Sequence, residues 1–267
     1  MEALLHMTNR RKTLLNEEIL RFLYKSASFQ GLEEIEQQQL LARYGQDEKF
    51  VEIMEISISL QEMIQEVEAT MPKMQDKDYL LSLAQQQQLV KEHTVVEDNV
   101  YFVPFNEIKA GQSPMIVLLQ QSATMKPYEV FCKGTIMPLF HLCATQKRDL
   151  IIIPFSETLE TPLQFKNGVL QLALFDRFLN EFKGNSATIV PAIAQAFAIF
   201  AEDALCNGRD LIMITDNQFD DFRALAEADY ATRLESLDIE FSVIAMSEDN
   251  FELQPIPFAQ QVFFANE

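Results

Sequence analysis

Residues 113–125 read SPMIVLLQQSATM. Met115 to Leu119 is an unbroken apolar run that stops at Gln120, and Gln121, Ser122, Ala123 and Thr124 follow it. A short continuous run bounded by polar residues predicts a strand buried on both faces. The polar residues then fall at the C-terminal end of that strand, where open α/β sheets place their ligands. Leu211 to Ile214, ending in Thr215, Asp216 and Asn217, repeats the design. Two such strands side by side deliver hydroxyls and a carboxylate to one rim of a sheet.

Downstream of Gly111 the pattern alternates. A strand over 114–120 leads to a helix from Pro127 to Lys147, then a strand from Leu150 to Phe155 and a polar, hairpin-like stretch from Thr158 to Gly168. Helices follow with Leu170 to Phe182 and with Ile189 to Leu205, then the strand Leu211 to Ile214, one helix over Asp220 to Leu237, and a strand from Ile239 to Met246. Gln261 to Ala265 can add an edge strand. Strands alternating with helices predict right-handed βαβ units: a doubly wound, mostly parallel α/β sheet, Rossmann-like, covered on both faces.

Upstream the pattern is helical. Asn16 with Glu17 and Glu18 starts a helix carrying Ile19, Leu20, Phe22 and Leu23. Leu32, Ile35, Leu40 and Leu41 form a second amphipathic set, Phe50 to Val67 a third, and Tyr79 to Val90 a fourth. Gly31 and Gly45 fall between candidate helices. Val95 to Val103 favours strand, and Pro104 with Lys109, Ala110 and Gly111 reads as a linker. The expected organisation is an all-α N-terminal module over residues 1–110 and an α/β domain over 111–267.

The 267 residues are long enough for a sizeable core. Forty acidic against 21 basic residues give a formal charge of −19, which repels phosphate backbones and argues against nucleic-acid partners. No run approaches the ~20 apolar residues of a membrane span. An odd cysteine count without C-x-x-C spacing, and an N-terminus without a signal-peptide pattern, predict a cytoplasmic protein. Cys132 and Cys143, about three helical turns apart, are expected on one buried face.

Three pieces together resemble the von Willebrand factor A (VWA) family. Ser122-Ala123-Thr124-Met125 after a buried strand is similar to its D-x-S-G-S-M opening. Gly184-Asn185-Ser186-Ala187-Thr188-Ile189 before a helix is similar to its G-G-T-D-I loop, and Thr215-Asp216 to its later T-D-G strand end. In that family the loops form a metal-ion-dependent adhesion site. The resemblance implies Ser122, Thr124, Thr188 and Asp216 as ligands of any Mg²⁺ held here, and a partner-binding rim of Gln120, Ser122, Thr124, Thr188, Asp216 and Asn217. Gln120 stands where the family's pattern has its first aspartate, Ala123 replaces a glycine, and the 184–189 loop can be registered with Ala187 or Thr188 in the threonine position. The expectation is therefore a degenerate site that binds protein without a cofactor, any Mg²⁺ binding being weak. The helical N-terminal part also resembles bacterial intracellular members of the family that work beside MoxR-type AAA+ ATPases, which implies such an ATPase as partner.

The competing reading is a metal-dependent α/β enzyme, with phosphoryl or hydrolytic chemistry at Asp216. Against it stand the missing G-x-x-x-x-G-K-[ST], G-x-G-x-x-G and G-x-S-x-G patterns. Asp220 and Asp221 suit a helix N-terminus, and His141 reads as a packed or solvated side chain.

Overall fold

The computed structural model describes residues 17–70, 113–203, 208–227, 229–246, 256 and 258–265. The fourth predicted helix, the 95–105 stretch, the boundary near 110 and Cys206 lie outside them.

Six strands form one sheet in the order β3-β2-β1-β4-β5-β6. They are β1 (Met115–Gln120), β2 (Leu150–Phe155), β3 (Leu163–Phe165), β4 (Arg209–Thr215), β5 (Ile239–Met246) and β6 (Gln261–Ala265). All neighbours are parallel except β3, which runs antiparallel to β2 along one edge. This is the strand order of doubly wound, Rossmann-like folds. The continuous apolar runs resolve into strict alternation. Met115, Val117, Leu119, Leu150, Ile152, Ile212 and Ile214 enter one core, while Ile116, Leu118, Ile151, Ile153, Leu211 and Met213 enter the other. A strand with helices on both sides has no face left for polar residues.

The helices are α1 (residues 17–25), α2 (Ala27–Gln30), α3 (Glu34–Tyr44), α4 (Glu48–Thr70), α5 (Glu129–Gln146), α6 (Leu172–Asn180), α7 (Val190–Glu202), α8 (Phe222–Glu227) and α9 (Tyr230–Ser236). The single helix expected over 220–237 is two. Asp229 starts the second by accepting the Thr232 N–H, so the acid at the break acts as a cap for α9.

Helices α7 to α9 cover one face of the sheet and α5 and α6 the other. Helices α1 to α4 pack outside α5, and their Leu23, Phe29, Leu40, Phe50 and Ile53 belong to the same buried cluster as Ile136, Phe140 and the sheet residues beneath. Helix α5 is thus enclosed between the sheet and α4, which accounts for its burial on nearly every side. Gly134 permits the crossing: a Cβ there would lie 2.7 Å from Ile56 Cγ2 and 3.1 Å from the Ile53 carbonyl oxygen. Phe50, Phe140, Phe175 and Phe178 interlock edge to face across these layers. At the N-terminal ends of the strands, buried Arg148 donates to the Ser113 carbonyl at 2.9 Å and pairs with Asp210 at 2.5 Å. The opposite end is left for the rim.

Candidate functional site

Strands β1 and β4 are neighbours in register, Leu119 opposite Ile214, so Gln120 arrives beside Thr215 and Asp216. Gln120 is 1% exposed and Asp216 5%. The Gln120 side chain ties the rim together. Its Oε1 accepts from the Thr215 hydroxyl and, at 3.3 Å, from the Asp216 N–H. Its Nε2 donates to Asp216 Oδ1 at 2.7 Å, to Ser122 Oγ at 2.8 Å and, at 3.4 Å, to the Gln218 carbonyl. The backbone fixes this orientation: turning the amide over would set its NH₂ against an N–H and its oxygen against a carboxylate and a carbonyl.

The turns around it complete the set. Ser122 Oγ and Thr124 Oγ1 share a hydrogen bond of 2.8 Å. Thr215 Oγ1 accepts from the Asn217 N–H at 2.8 Å, and Asp216 Oδ1 from the Gln218 N–H at 3.0 Å. Asn217 has φ +63°, a left-handed conformation that asparagine tolerates better than most side chains. Gly184 brings the third loop in. A Cβ there would lie 2.3 Å from Ser156 Cβ, and its own φ is +122°. The Asn185 carbonyl then accepts the Ala123 N–H at 3.3 Å.

Four of the six rim residues, Gln120, Ser122, Thr124 and Asp216, form one hydrogen-bonded group, and Asn217 joins through Thr215. Thr188 does not. Its hydroxyl donates to the Ser156 carbonyl at 3.2 Å and its N–H to the same oxygen at 2.9 Å, tying it to the end of β2. Ala187 takes the place facing the cleft, and its carbonyl accepts the Asp220 N–H at 2.8 Å. Asp221 is likewise engaged: its two carboxylate oxygens accept the Ile189 and Val190 N–H groups, each at 2.8 Å, at the start of α7.

The donor set does not fit a metal. Mg²⁺ needs oxygen lone pairs directed at one centre, and the Gln120 NH₂ already takes those of Ser122 Oγ and Asp216 Oδ1. Of the Asp216 carboxylate only Oδ2 is left uncommitted, buried without a partner, and one such oxygen does not make the near-octahedral shell that Mg²⁺ needs. Among the described residues, no group of three or more His, Cys, Asp or Glu side chains could hold a metal elsewhere.

Above this group the three loops enclose an open groove of about 370 Å³, lined among others by Ser122, Thr124, Asn185, Gln218 and Asp220. The Phe219 and Phe222 rings stack along one wall, 6.5 Å apart and 7° from parallel.

Below it lies a charged knot that the sequence did not announce. Lys133, 1% exposed, bonds Glu129 and the Leu179 carbonyl, the latter at 2.7 Å. Lys49 of α4 reaches the same carboxylate at 2.5 Å and the same carbonyl at 2.9 Å, and Lys126 adds a third ammonium at 2.6 Å. Burial pushes the Glu129 carboxyl up, but the three lysines overcome it and hold it down at about 2. Burial lowers Lys133 to about 8 against the pull of Glu129. The signal available in the sequence was the i, i+4 pair Glu129–Lys133 within an otherwise apolar helix.

Both described cysteines are free and buried, and burial pushes each thiol up to about 12, so neither is a nucleophile. His141 Nδ1 accepts the Ala27 N–H at 3.0 Å, and burial lowers its pKa.

The strand order and the helices on both faces of the sheet give a VWA-like, Rossmann-like α/β fold. Solved structures similar to the chain include the VWA domain of SpRpn10, at 9% identity and TM-score 0.41 over 58% of this chain and 88% of that one. The manganese-loaded TRAP protein of Plasmodium vivax is similar at 14% identity and TM-score 0.43, over 58% and 69%. The pilus adhesin SpaC of Lactobacillus rhamnosus GG is similar at 10% and 0.46, over 60% of this chain and 28% of the adhesin. No family model matches the sequence, and no curated protein does. Among the described residues no helix is long and apolar enough to cross a membrane.

Proposed function

We propose that the chain is a non-enzymatic protein–protein interaction adaptor, binding its partner at the C-terminal rim of the sheet. The observation that carries this reading is the groove itself. It is open, walled by hydroxyls, amides and two stacked phenylalanines, and built on a buried hydrogen-bonded floor that keeps the three loops in fixed relation. Preorganised loops lose little conformational entropy when a partner docks. Catalysis at Asp216 finds no comparable support: its Oδ1 is engaged by Gln120 and Gln218, and its Oδ2, though unpartnered, is buried outside the lining of the groove. A MoxR-type AAA+ ATPase is the partner class carried over from the resemblance of the sequence to bacterial intracellular members of the VWA family.

The test is site-specific photo-cross-linking, with the probe at Thr124 or Asn185 in the groove, or at Tyr24 or Ile35, both exposed on the N-terminal helices. The rim reading expects a discrete partner adduct from the groove positions, abolished by Thr124→Arg. Adducts from Tyr24 or Ile35 alone would move the interaction to the helices.

A further inference from the structure

Two devices that attract anions to rims of this kind are filled from within the chain. The oxygens that a cation would need are met by the Gln120 amide, whose donors are used on Ser122 and Asp216. The N-terminus of α7, where exposed N–H groups and the helix dipole favour negative charge, is closed by the Asp221 carboxylate on Ile189 and Val190. What remains open in the groove is of the other polarity. Among the described residues its lining holds no lysine, arginine or histidine, and the acidic side chain there is Asp220, which is exposed. Around it stand the Thr124 and Ser186 hydroxyls, the Asn185 and Gln218 amides, and the stacked Phe219 and Phe222 rings. Hydroxyl and amide oxygens accept from an ammonium or guanidinium, a carboxylate neutralises it, and aromatic faces attract it. The chain as a whole carries a formal charge of −19, which draws a cationic partner in and turns an acidic one away.

We propose that the groove recognises a lysine or arginine side chain on a basic segment of a partner protein, without a metal ion. This rests on the rim being the binding surface, and it gives the site a ligand opposite in charge to the acidic residue that a metal-containing site would take. Asp220 supplies the counter-charge, the hydroxyls and amides the remaining acceptors, and the phenylalanine pair the wall along which the aliphatic stem lies.

The test uses the full chain and two fluorescein-labelled peptides, one of alternating arginine and glycine and one of alternating glutamate and glycine, read by anisotropy in EDTA and in Mg²⁺. The arginine peptide should bind equally in both buffers and the glutamate peptide in neither. Asp220→Lys should weaken arginine-peptide binding by more than about tenfold. Glu34→Lys, the same change in net charge on exposed α3, should alter it by less than about twofold. Equal losses in the two variants would reduce the effect to diffuse attraction and overturn the proposal, as would preference for the glutamate peptide or dependence on Mg²⁺. A photo-reactive arginine peptide separates this inference from the rim reading. Cross-linking on the N-terminal helices would refute the rim as the site. Groove cross-links from the natural partner that map to acidic segments would leave the rim standing and refute only the basic ligand.

Discussion

Replacing Gln120 by leucine removes the tie between β1 and β4 while keeping similar volume. Besides two long bonds, to the Asp216 N–H and the Gln218 carbonyl, the variant loses one hydrogen bond to a carboxylate, on Asp216, and two to neutral groups, on Thr215 and Ser122. A bond to a charged group contributes about 1.5–3 kcal/mol and a neutral one about 1, so the loss is roughly 3–5 kcal/mol. Apolar burial of the new methyls returns about 1 kcal/mol. Asp216 magnifies the cost, because its Oδ2 is buried with no partner of its own. Urea unfolding should therefore show Gln120→Leu destabilised by about 2–4 kcal/mol, a melting-point drop on the order of 10 °C for a chain of this size. Gln120→Glu supplies a signature that lost packing cannot imitate. The introduced carboxyl meets Asp216 where an NH₂ stood, and two carboxylates in contact share one proton. Its folded pKa is raised, so the variant is most stable below the ordinary glutamate pKa and loses stability as pH rises through the raised value. A Gln120→Leu loss under about 1 kcal/mol, or a pH-independent Gln120→Glu, would refute the amide as the floor of the site.

Gln120→Asp should melt lower than wild type in EDTA and rise with millimolar Mg²⁺, because binding to the folded state alone raises the midpoint; the wild type should not respond, and a wild-type rise would contradict the fit argument. Gly134→Ala should destabilise despite alanine's helix preference of about 1 kcal/mol, since overpacking against Ile56 and the Ile53 backbone costs about 1–3 kcal/mol; a higher midpoint would refute the close crossing of α4 and α5. Glu129 has a depressed folded pKa, so its stabilisation is complete above the ordinary 4.5 and disappears as pH falls towards about 2. Glu129→Gln should cost about 3–5 kcal/mol at neutral pH, by leaving Lys133 buried without its counter-charge, and flatten that acid limb. Asp221→Ala should cost about 1–2 kcal/mol as the α7 start loses its cap, with sulfate restoring part of it; thermal melts with and without sulfate check this.

The strands were legible because burial on both faces leaves unbroken apolar runs. Leu150 to Phe155, Ile239 to Met246 and Gln261 to Ala265 stand where the pattern puts them. What escaped was fixed by distant partners. The split at Asp229 looks locally like one amphipathic helix, and Leu163 to Phe165 becomes a strand only because the β2 edge is there to pair with. Glu33 and Glu36 form a reciprocal cap at the start of α3. In the rim, the structure brings Ser122, Thr124 and Asp216 into one hydrogen-bonded group, whereas it ties Thr188 to the end of β2. Gln120 was visible as the neutral replacement for an aspartate. That its amide would bind the oxygens around it required the geometry.

The placement of α1 to α4 outside α5 sets an order of events during synthesis. Lys49 finds its partners 80 and 130 positions later, at Glu129 and Leu179, and Tyr44 its hydrogen bond to Asp176 132 positions on. These helices, made before α5 and α6, therefore cannot complete the burial of their apolar faces until α5 and α6 have followed. Contacts of such separation carry a loop-closure cost before they return any energy, which slows folding and leaves apolar surface open meanwhile. The nascent chain needs its early helices kept from aggregating until most of the domain has been made.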